Sequence, residues 1–361
     1  MPIITKPNEH FDVLTWTGTG GSSGATRSIT GLNFQPGLIW EKARTSGTGH
    51  QLLDSVRGVG QNKVLASNSA GDEPEAPNTE SLYGWMSAIN SGGFTLTNGT
   101  STFDNWNKSG DDYVAWNWKA GTSSSITVGQ YGSGVPSIAS TVSANPTAGF
   151  SIVTYTGNVT GGATIGHGLG AVPTFIIVKN RSTSANWLIY SSVEGPNKYG
   201  YLNLTNGWAT DTTGFNNVTP TSTVFTVGSA VETNGSTNNL VAYCFTPIAG
   251  YSAFGSYTGN GSATAGPFVY LGFRPRLVMI KRYDTTSNWN ITDTSRNPYN
   301  NTTVALRPNT GDTESTVGTV YVQPVSNGFY ISNNNSDTNA TNGTYIYAAF
   351  AEAPFKFANA R

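Results

Sequence analysis

An all-β protein is predicted, built as three tandem β-sandwich-like domains with short strands and long Gly-, Asn- and Thr-rich loops. Three recurring pieces predict it. The first is an aromatic-threonine-glycine turn, seen at Thr15-Trp16-Thr17-Gly18, Thr154-Tyr155-Thr156-Gly157 and Ser256-Tyr257-Thr258-Gly259. The second is a leucine, a proline and an apolar run closed by lysine: GLNFQPGLIWEK (31–42), GLGAVPTFIIVK (168–179) and YLGFRPRLVMIK (270–281). The third closes each copy: YVAWNW (113–118), LVAYCF (240–245) and YIYAAF (345–350). From the turn glycine to the lysine is 24 residues in the first copy and 22 in the others. A repeat of roughly 100 residues exceeds the ~20–50 of solenoids and propeller blades, so each copy is a unit with its own strands.

The closing segment alternates with period two, which is strand behaviour. One face carries Val114, Trp116 and Trp118, then Val241, Tyr243 and Phe245, then Ile346, Ala348 and Phe350. The other carries smaller residues, Cys244 among them, and reads as a crowded outer face on which that thiol is packing. The run after the proline is apolar on both faces, as in Phe175-Ile176-Ile177-Val178. Such a strand needs cover on both sides, from a second sheet and from a neighbouring element or subunit. Pro36, Pro173 and Pro275 sit at its start, where a missing N–H does no harm. Lys42, Lys179 and Lys281 are expected to end it in water. SLYGWMSAI (81–89) offers at most one or two helical turns. Residues 120–149 are Ser-, Gly- and Thr-rich and read as a linker with one added strand near Ile126-Thr127-Val128. The resulting boundaries are an arm at 1–10, domains at 11–121, 150–248 and 254–358, and a linker at 122–149.

Composition narrows the function. Charged residues make up 11% of the chain, against about 25% in ordinary domains, while aromatics reach 12%, too many for disorder. The formal net charge is −1, with no basic run to release counterions from a nucleic acid backbone, so none is expected as a partner. No apolar stretch is long enough to insert in a membrane, and the N-terminus lacks a signal-peptide pattern. A single cysteine, Cys244, excludes an intramolecular disulfide framework and a cysteine-rich zinc site.

Chemical motifs are sparse. Gly20-Gly21-Ser22-Ser23-Gly24 has the letters of a nucleophile elbow but lacks the following helix that would hold the serine exposed. Gly166-His167-Gly168-Leu169-Gly170-Ala171 has the letters of a dinucleotide fingerprint but leads into Pro173 and a strand, so it reads as a turn and no cofactor is expected. His10, His50 and His167 share no metal-ligand spacing. Acidic residues bunch at Asp72, Glu73, Glu75 and Glu80 and at Asp111-Asp112, which read as solvated loops; a weak calcium site or a glycosidase carboxylate pair would have to be built there.

Repetition offers a filter, because what recurs in every copy serves the fold. Trp187 and Trp289 take equivalent places after the lysine and read as core. Trp106, with Asn105, and Trp208, with Asn206, have no evident counterpart. A ring flanked by amides can stack on a sugar's apolar face, so these four are the candidate glycan contacts, against the plainer reading that they cover a sandwich edge or a subunit contact.

The strings FDVLTWTGTG, GLNFQPGLIWEKAR, HQLLDSVRG and DDYVAWNWKAG resemble a repeated β-domain of marine bacteriophage structural proteins, cyanophage types among them. GFSIVTYTGN with GHGLGAVPTFIIVKNR resembles its sister repeat, and SNGFYISNNN with GTYIYAAFAEAPFK the C-terminal version found in tail-fibre proteins. The resemblance spans residues 11–358 and implies a virion component, with no catalytic residues to carry over. With the tandem array, the lack of an assembled catalytic set and the unshared loop aromatics, the expectation is a non-enzymatic tail fibre or spike that contacts host glycan. The lack of a disulfide framework and of a signal pattern points to synthesis in the host cytoplasm. A capsid decoration or head-fibre protein, and a polysaccharide depolymerase using Asp111 or Glu80, are the alternatives. Strands apolar on both faces, together with the resemblance, suggest a homo-oligomer, a trimer, with the 1–10 arm docking on another virion protein.

Overall fold

The computed structural model describes residues 4–73, 80–101, 106–298, 303–314 and 322–352, and the fold is all-β. The first repeat comprises β1 (Phe11–Thr17), β2 (Thr26–Thr30), β3 (Leu38–Ala43), β4 (Gln51–Asp54), β5 (Trp85–Asn90), β6 (Gly93–Thr97) and β7 (Asp112–Trp118). Strands β8 (Ser123–Ile126) and β9 (Ser140–Asn145) lead into the second. It holds β10 (Phe150–Thr156), β11 (Ala163–Gly166), β12 (Phe175–Asn180), β13 (Leu188–Ser191), β14 (Lys198–Tyr201), β15 (Ala209–Thr210), β16 (Val224–Val227) and β17 (Asn239–Phe245). The third holds β18 (Ser252–Thr258), β19 (Phe268–Tyr270), β20 (Pro275–Arg282), β21 (Trp289–Asp293), β22 (Val322–Val325), β23 (Gly328–Ile331) and β24 (Thr344–Ala351).

One sheet order recurs. It is β1-β7-β3-β4 in the first repeat, β10-β17-β12-β13 within the eight-stranded sheet of the second, and β18-β24-β20-β21 in the third. Register recurs too: Trp16 pairs with Tyr113, Tyr155 with Leu240 and Tyr257 with Tyr345. A smaller sheet covers each: β2-β6-β5, β11-β16 and β19-β23-β22. Alternation decides what lies between the two sheets. The smaller-residue face of each closing strand, with Ala115, Cys244 or Ala349, belongs to the repeat's own sandwich core. Burial of Cys244 pushes its thiol pKa up, so it is packing, as expected.

The larger-residue face packs elsewhere. Val114, Trp116, Trp118, Val241, Tyr243, Phe245, Ile346, Ala348 and Phe350 all enter a single cluster shared by the three repeats. At its centre stand Trp118, Phe245 and Phe350, the last aromatic of each closing strand. Their ring centroids are 6.3, 5.5 and 5.9 Å apart, and each pair is edge-to-face, the geometry that the ring quadrupole favours. Three equivalent residues touching pairwise define a pseudo-threefold axis within one chain. The doubly apolar strands therefore find both covers inside the chain, and β3 and β12 are buried along their whole length.

Two expectations change at this level. Residues 122–149 are more than a linker: β8 and β9 add to β10 and widen the second repeat's sheet. The 1–10 segment is not a free arm over its described part. Ile4 enters the shared core, Pro7–Glu9 form a 3-10 turn, and the His10 carbonyl accepts from the Lys119 N–H at 2.8 Å. Packing Ile4 between repeats removes apolar surface from water, which a dangling arm could not do. The segment 81–89 gives one helical turn, Glu80–Tyr83, and then β5.

Candidate functional site

The repeats meet through one set of equivalent contacts, each reaching from one repeat to the next. Eight residues after each lysine stand His50, Trp187 and Trp289. Trp187 Nε1 donates to the Ala66 carbonyl at 2.9 Å, and Trp289 Nε1 donates to the Tyr201 carbonyl at 2.8 Å. His50 Nε2 makes the third such bond, to the Arg307 carbonyl at 2.9 Å. A loop of the first repeat thus docks on the second, one of the second on the third, and one of the third on the first. The contacts close a ring. Heterologous interfaces of this kind end in a ring when the rotation closes, and here it closes after three steps.

The lysines lie under these loops, not in water. Lys42, Lys179 and Lys281 each have 0% exposure. Lys179 Nζ donates to Ala70 and Ala185 carbonyls, Lys281 Nζ to Thr205 and Ser287 carbonyls, and Lys42 Nζ to Ala43 and Ser46 carbonyls. Burial lowers the pKa of Lys42 and of Lys281 to about 8, with nearby carboxylates opposing the shift. A lysine closing an apolar run reads as snorkelling, but Lys179 and Lys281 meet carbonyls that folding brings from another repeat, and Lys42 is held by carbonyls of its own turn.

Carboxylates tie the same junctions. Twelve residues after the lysine, Asp54 and Asp293 begin matching Asp-x-x-Arg turns with Arg57 and Arg296. The pairs Arg57–Asp54 and Arg296–Asp293 are fully buried, at 2.5 and 2.6 Å. Tyr243 of the second repeat donates to Asp54, and Trp116 of the first donates to Asp293. Burial alone would raise the Asp293 pKa, but the Arg296 charge and the donated hydrogen bonds prevail and hold it below the usual value. Glu73 bridges Arg57 to Arg181, and Glu314 bridges Arg296 to Arg44. Glu73 is thus no solvated-loop residue. The third junction has Ser191 where the others have Asp and Ala348 where they have Tyr or Trp. Donor and acceptor are lost together there, so neither is left buried alone.

The candidate glycan residues fall into this framework. Trp106 is 1% exposed and belongs to the first repeat's sandwich core. Its carbonyl accepts from Trp16 Nε1, as those of Thr233 and Thr338 accept from Tyr155 and Tyr257 hydroxyls. It therefore has counterparts, and it presents no face to a sugar. The signal lay in the next residue: Asn107, Asn234 and Asn339 each stand six positions before Tyr113, Leu240 and Tyr345. Their side-chain oxygens accept the backbone N–H of Thr19, Asn158 and Asn260. Asn105 lies outside the described residues.

Trp208 belongs to the third junction. Its N–H donates to the Tyr283 carbonyl, as the N–H groups of Glu73 and Glu314 donate to those of Arg181 and Arg44. The indole packs on Gly200, where an added Cβ would meet Nε1 at 2.5 Å, and against the shared core. Asn206 is exposed beside it. The structure does not bring Trp106 and Trp208 to one surface.

The remaining motifs resolve into local structure. Ser22 sits in an exposed turn that leads into a strand, so no elbow forms. His167 Nδ1 accepts from the Leu169 N–H and Nε2 meets the Thr221 carbonyl, which locks the neutral ring; burial lowers its pKa to about 4. Asp111 pairs with Lys108, and Asp112 accepts from the Thr17 hydroxyl. Glu75 lies outside the described residues, and only the backbone of Glu80 is described. Among the described residues no three His, Cys, Asp or Glu side chains gather to hold a metal ion.

Among the described residues, two surfaces are open to solvent and of a kind that could meet a ligand. A polar groove of about 300 Å³ crosses β8, β9 and β10, with Ser125, Thr141, Thr154, Asn239 and Arg181 on its walls. On the outer sheet of the third repeat, Phe268 and Tyr270 are 48% and 68% exposed. Neither aromatic was singled out in the sequence.

A family model described as a domain of unknown function (DUF7483) matches residues 6–354. The chain belongs to that family. A search of curated proteins finds no match.

Proposed function

We propose that the chain is a non-enzymatic virion structural protein of a tailed phage, a fibre or spike component that contacts the host surface through glycan. The observation that carries this reading is where the buried charge goes. Asp54, Arg57, Glu73, Arg181, Asp293, Arg296, Glu314 and Arg44 all tie one repeat to another or brace the residues that do. A reaction site calls for charge poised towards a pocket; here the charge is spent on holding three β-units in one rigid body. Rigid surfaces of this sort gain useful attachment from weak contacts repeated over a particle. The likeness of residues 11–358 to phage structural repeats supports the same reading.

A capsid decoration or head-fibre role is the second reading, and one observation favours it. The repeats cover one another within a chain, so the body is complete without exchange of strands between chains. Such a body can seat singly on a lattice. Immunogold labelling of the particle separates the two: gold at the tail tip supports the fibre, and gold over the head supports decoration. Absence of the protein from purified particles overturns both. Adsorption to host cells that is blocked by their purified surface glycan supports the glycan contact, and undiminished adsorption after glycan removal overturns it.

A further inference from the structure

The three repeats allow each surface position to be compared with its two equivalents. Cross-strand partners fix the alignment of the outer sheets: Ile29 faces Phe94, Ile165 faces Phe225 and Val269 faces Phe329. On either side of that buried column stand the outward positions. They are Ser28 and Thr30 in the first repeat and Phe268 and Tyr270 in the third, all exposed, whereas in the second Thr164 is half-buried and Gly166 is buried against Ile126. Small residues thus serve the fold in the first copy, where the same face is also open. The fold does not require aromatics there, yet the third repeat exposes two.

Both rings rest on glycine. A Cβ added to Gly328 would meet Phe268 Cε2 at 3.1 Å, and one added to Gly272 would meet the Tyr270 hydroxyl at 3.5 Å and its nearer ring carbons at 3.8 and 3.9 Å. Glycine lets a ring settle against the backbone and turn its other side to solvent. Tyr330, across the ladder from Phe268, is anchored by its hydroxyl to the Thr264 carbonyl at 3.1 Å. Exposed Ser326 and Asn327 border the pair, and the Asn327 carbonyl accepts from the N–H groups of Leu271 and Gly272. Segments 260–273 and 322–335 contain no Asp, Glu, Lys or Arg.

We propose that Phe268 and Tyr270 form a stacking platform for a neutral saccharide. The proposal rests on the glycan-contact reading above and supplies its site. Two aromatic side chains offer about 150–250 Å² each, well short of the ~800 Å² per partner of a stable protein interface, so a second copy is the poorer occupant. The uncharged surround gives an anionic polymer neither pairing nor steering. A sugar ring has an apolar C–H face that matches an aromatic face, and its hydroxyls need the hydroxyl and amide groups that Ser326 and Asn327 offer at the rim.

The test is binding of the whole chain to immobilised neutral, sialylated and sulfated oligosaccharides. It is repeated with Phe268→Ser/Tyr270→Thr, which installs the first repeat's residues, and with the single variant Tyr270→Ala. Neutral glycans bind, affinity falls at least tenfold in the double variant, and melting is unchanged. Retained binding in both variants overturns the platform and leaves the glycan reading intact. No binding by the native chain to any glycan overturns both. Preference for the charged glycans overturns the neutral assignment, and self-association that the variants abolish assigns the face to a second copy. If the protein is absent from virions while the platform binds, only the virion role falls.

Discussion

His50 of the first repeat donates from Nε2 to the carbonyl of Arg307 in the third, at 2.9 Å, while its Nδ1 accepts from Trp40 Nε1 at 2.9 Å. The other two junctions use tryptophan for this contact and are also joined by the chain itself. The seam between the first and last repeats has no such covalent link, and it alone uses a group that can be protonated. A proton on Nδ1 would set N–H against N–H, so the seam is built for the neutral ring.

Acid should therefore weaken the fold. Burial, with the Lys42 and Arg296 charges, holds His50 well below its usual pKa, and burial takes His167 to about 4. Both are bases with depressed folded pKa values, so between pH 6.5 and about 4 the unfolded chain binds more protons than the folded one. Their contribution is complete above pH 6.5 and is lost as pH falls through that window. For His167 alone the loss is on the order of 3 kcal/mol by pH 4. Thermal melts from pH 7.5 to 4 should show a falling midpoint. His50→Phe should be less stable at pH 7.5 and less sensitive to acid; an unchanged slope would refute the lock.

The junction ion pairs predict an asymmetric mutational response. Arg57→Met leaves Asp54 and Glu73 buried without their shared partner and should cost about 3–5 kcal/mol in denaturant unfolding. Adding Asp54→Ser removes the unpaired buried carboxylate at the smaller cost of leaving the Tyr243 hydroxyl without its acceptor, so the double variant should lose less than the single one. A double variant worse than Arg57→Met would mean that Asp54 stabilises without Arg57.

Much of this was legible in the sequence, because repeats expose their own constraints. The doubly apolar strands, the prolines at their starts and the tryptophans eight residues past the lysine all fall where the pattern puts them. What escaped depends on contacts distant in sequence. Lys179 and Lys281 looked solvated because the carbonyls they meet include those of Ala70 and Thr205, in loops of other repeats. Trp106 and Trp208 looked unmatched because only backbone roles are shared in their columns, while the side chains change to Thr or Glu. Phe268 and Tyr270 gave no signal of their own because alternation does not say which face is wet.

Those columns fix what the two tryptophans should do. Trp106→Ala removes a buried ring from the first sandwich and should cost about 3–5 kcal/mol. Trp208→Ala removes a half-buried ring from the third junction and should cost less, with both variants binding glycan as the native chain does wherever they remain folded. Affinity lost at undiminished stability in either variant would restore that residue as a contact.

The last prediction concerns assembly. An oligomer was expected because strands apolar on both faces need a partner surface, and the shared core now provides it through Trp118, Phe245 and Phe350. The isolated protein should therefore scatter light as one chain of 38.1 kDa at micromolar concentration. A stable trimer would show that further faces are used between chains. Deleting residues 249–361 exposes Trp118, Phe245 and much of the apolar surface around them. Patches of that size on a soluble protein drive association, so the remaining two repeats should aggregate or pair. A soluble, monomeric two-repeat fragment would sink the ring as the source of stability. Mixing the fragment with separately produced residues 249–361 should restore a body of native mass, because the seam contacts of His50, Arg44 and Asp12 lie between those two pieces.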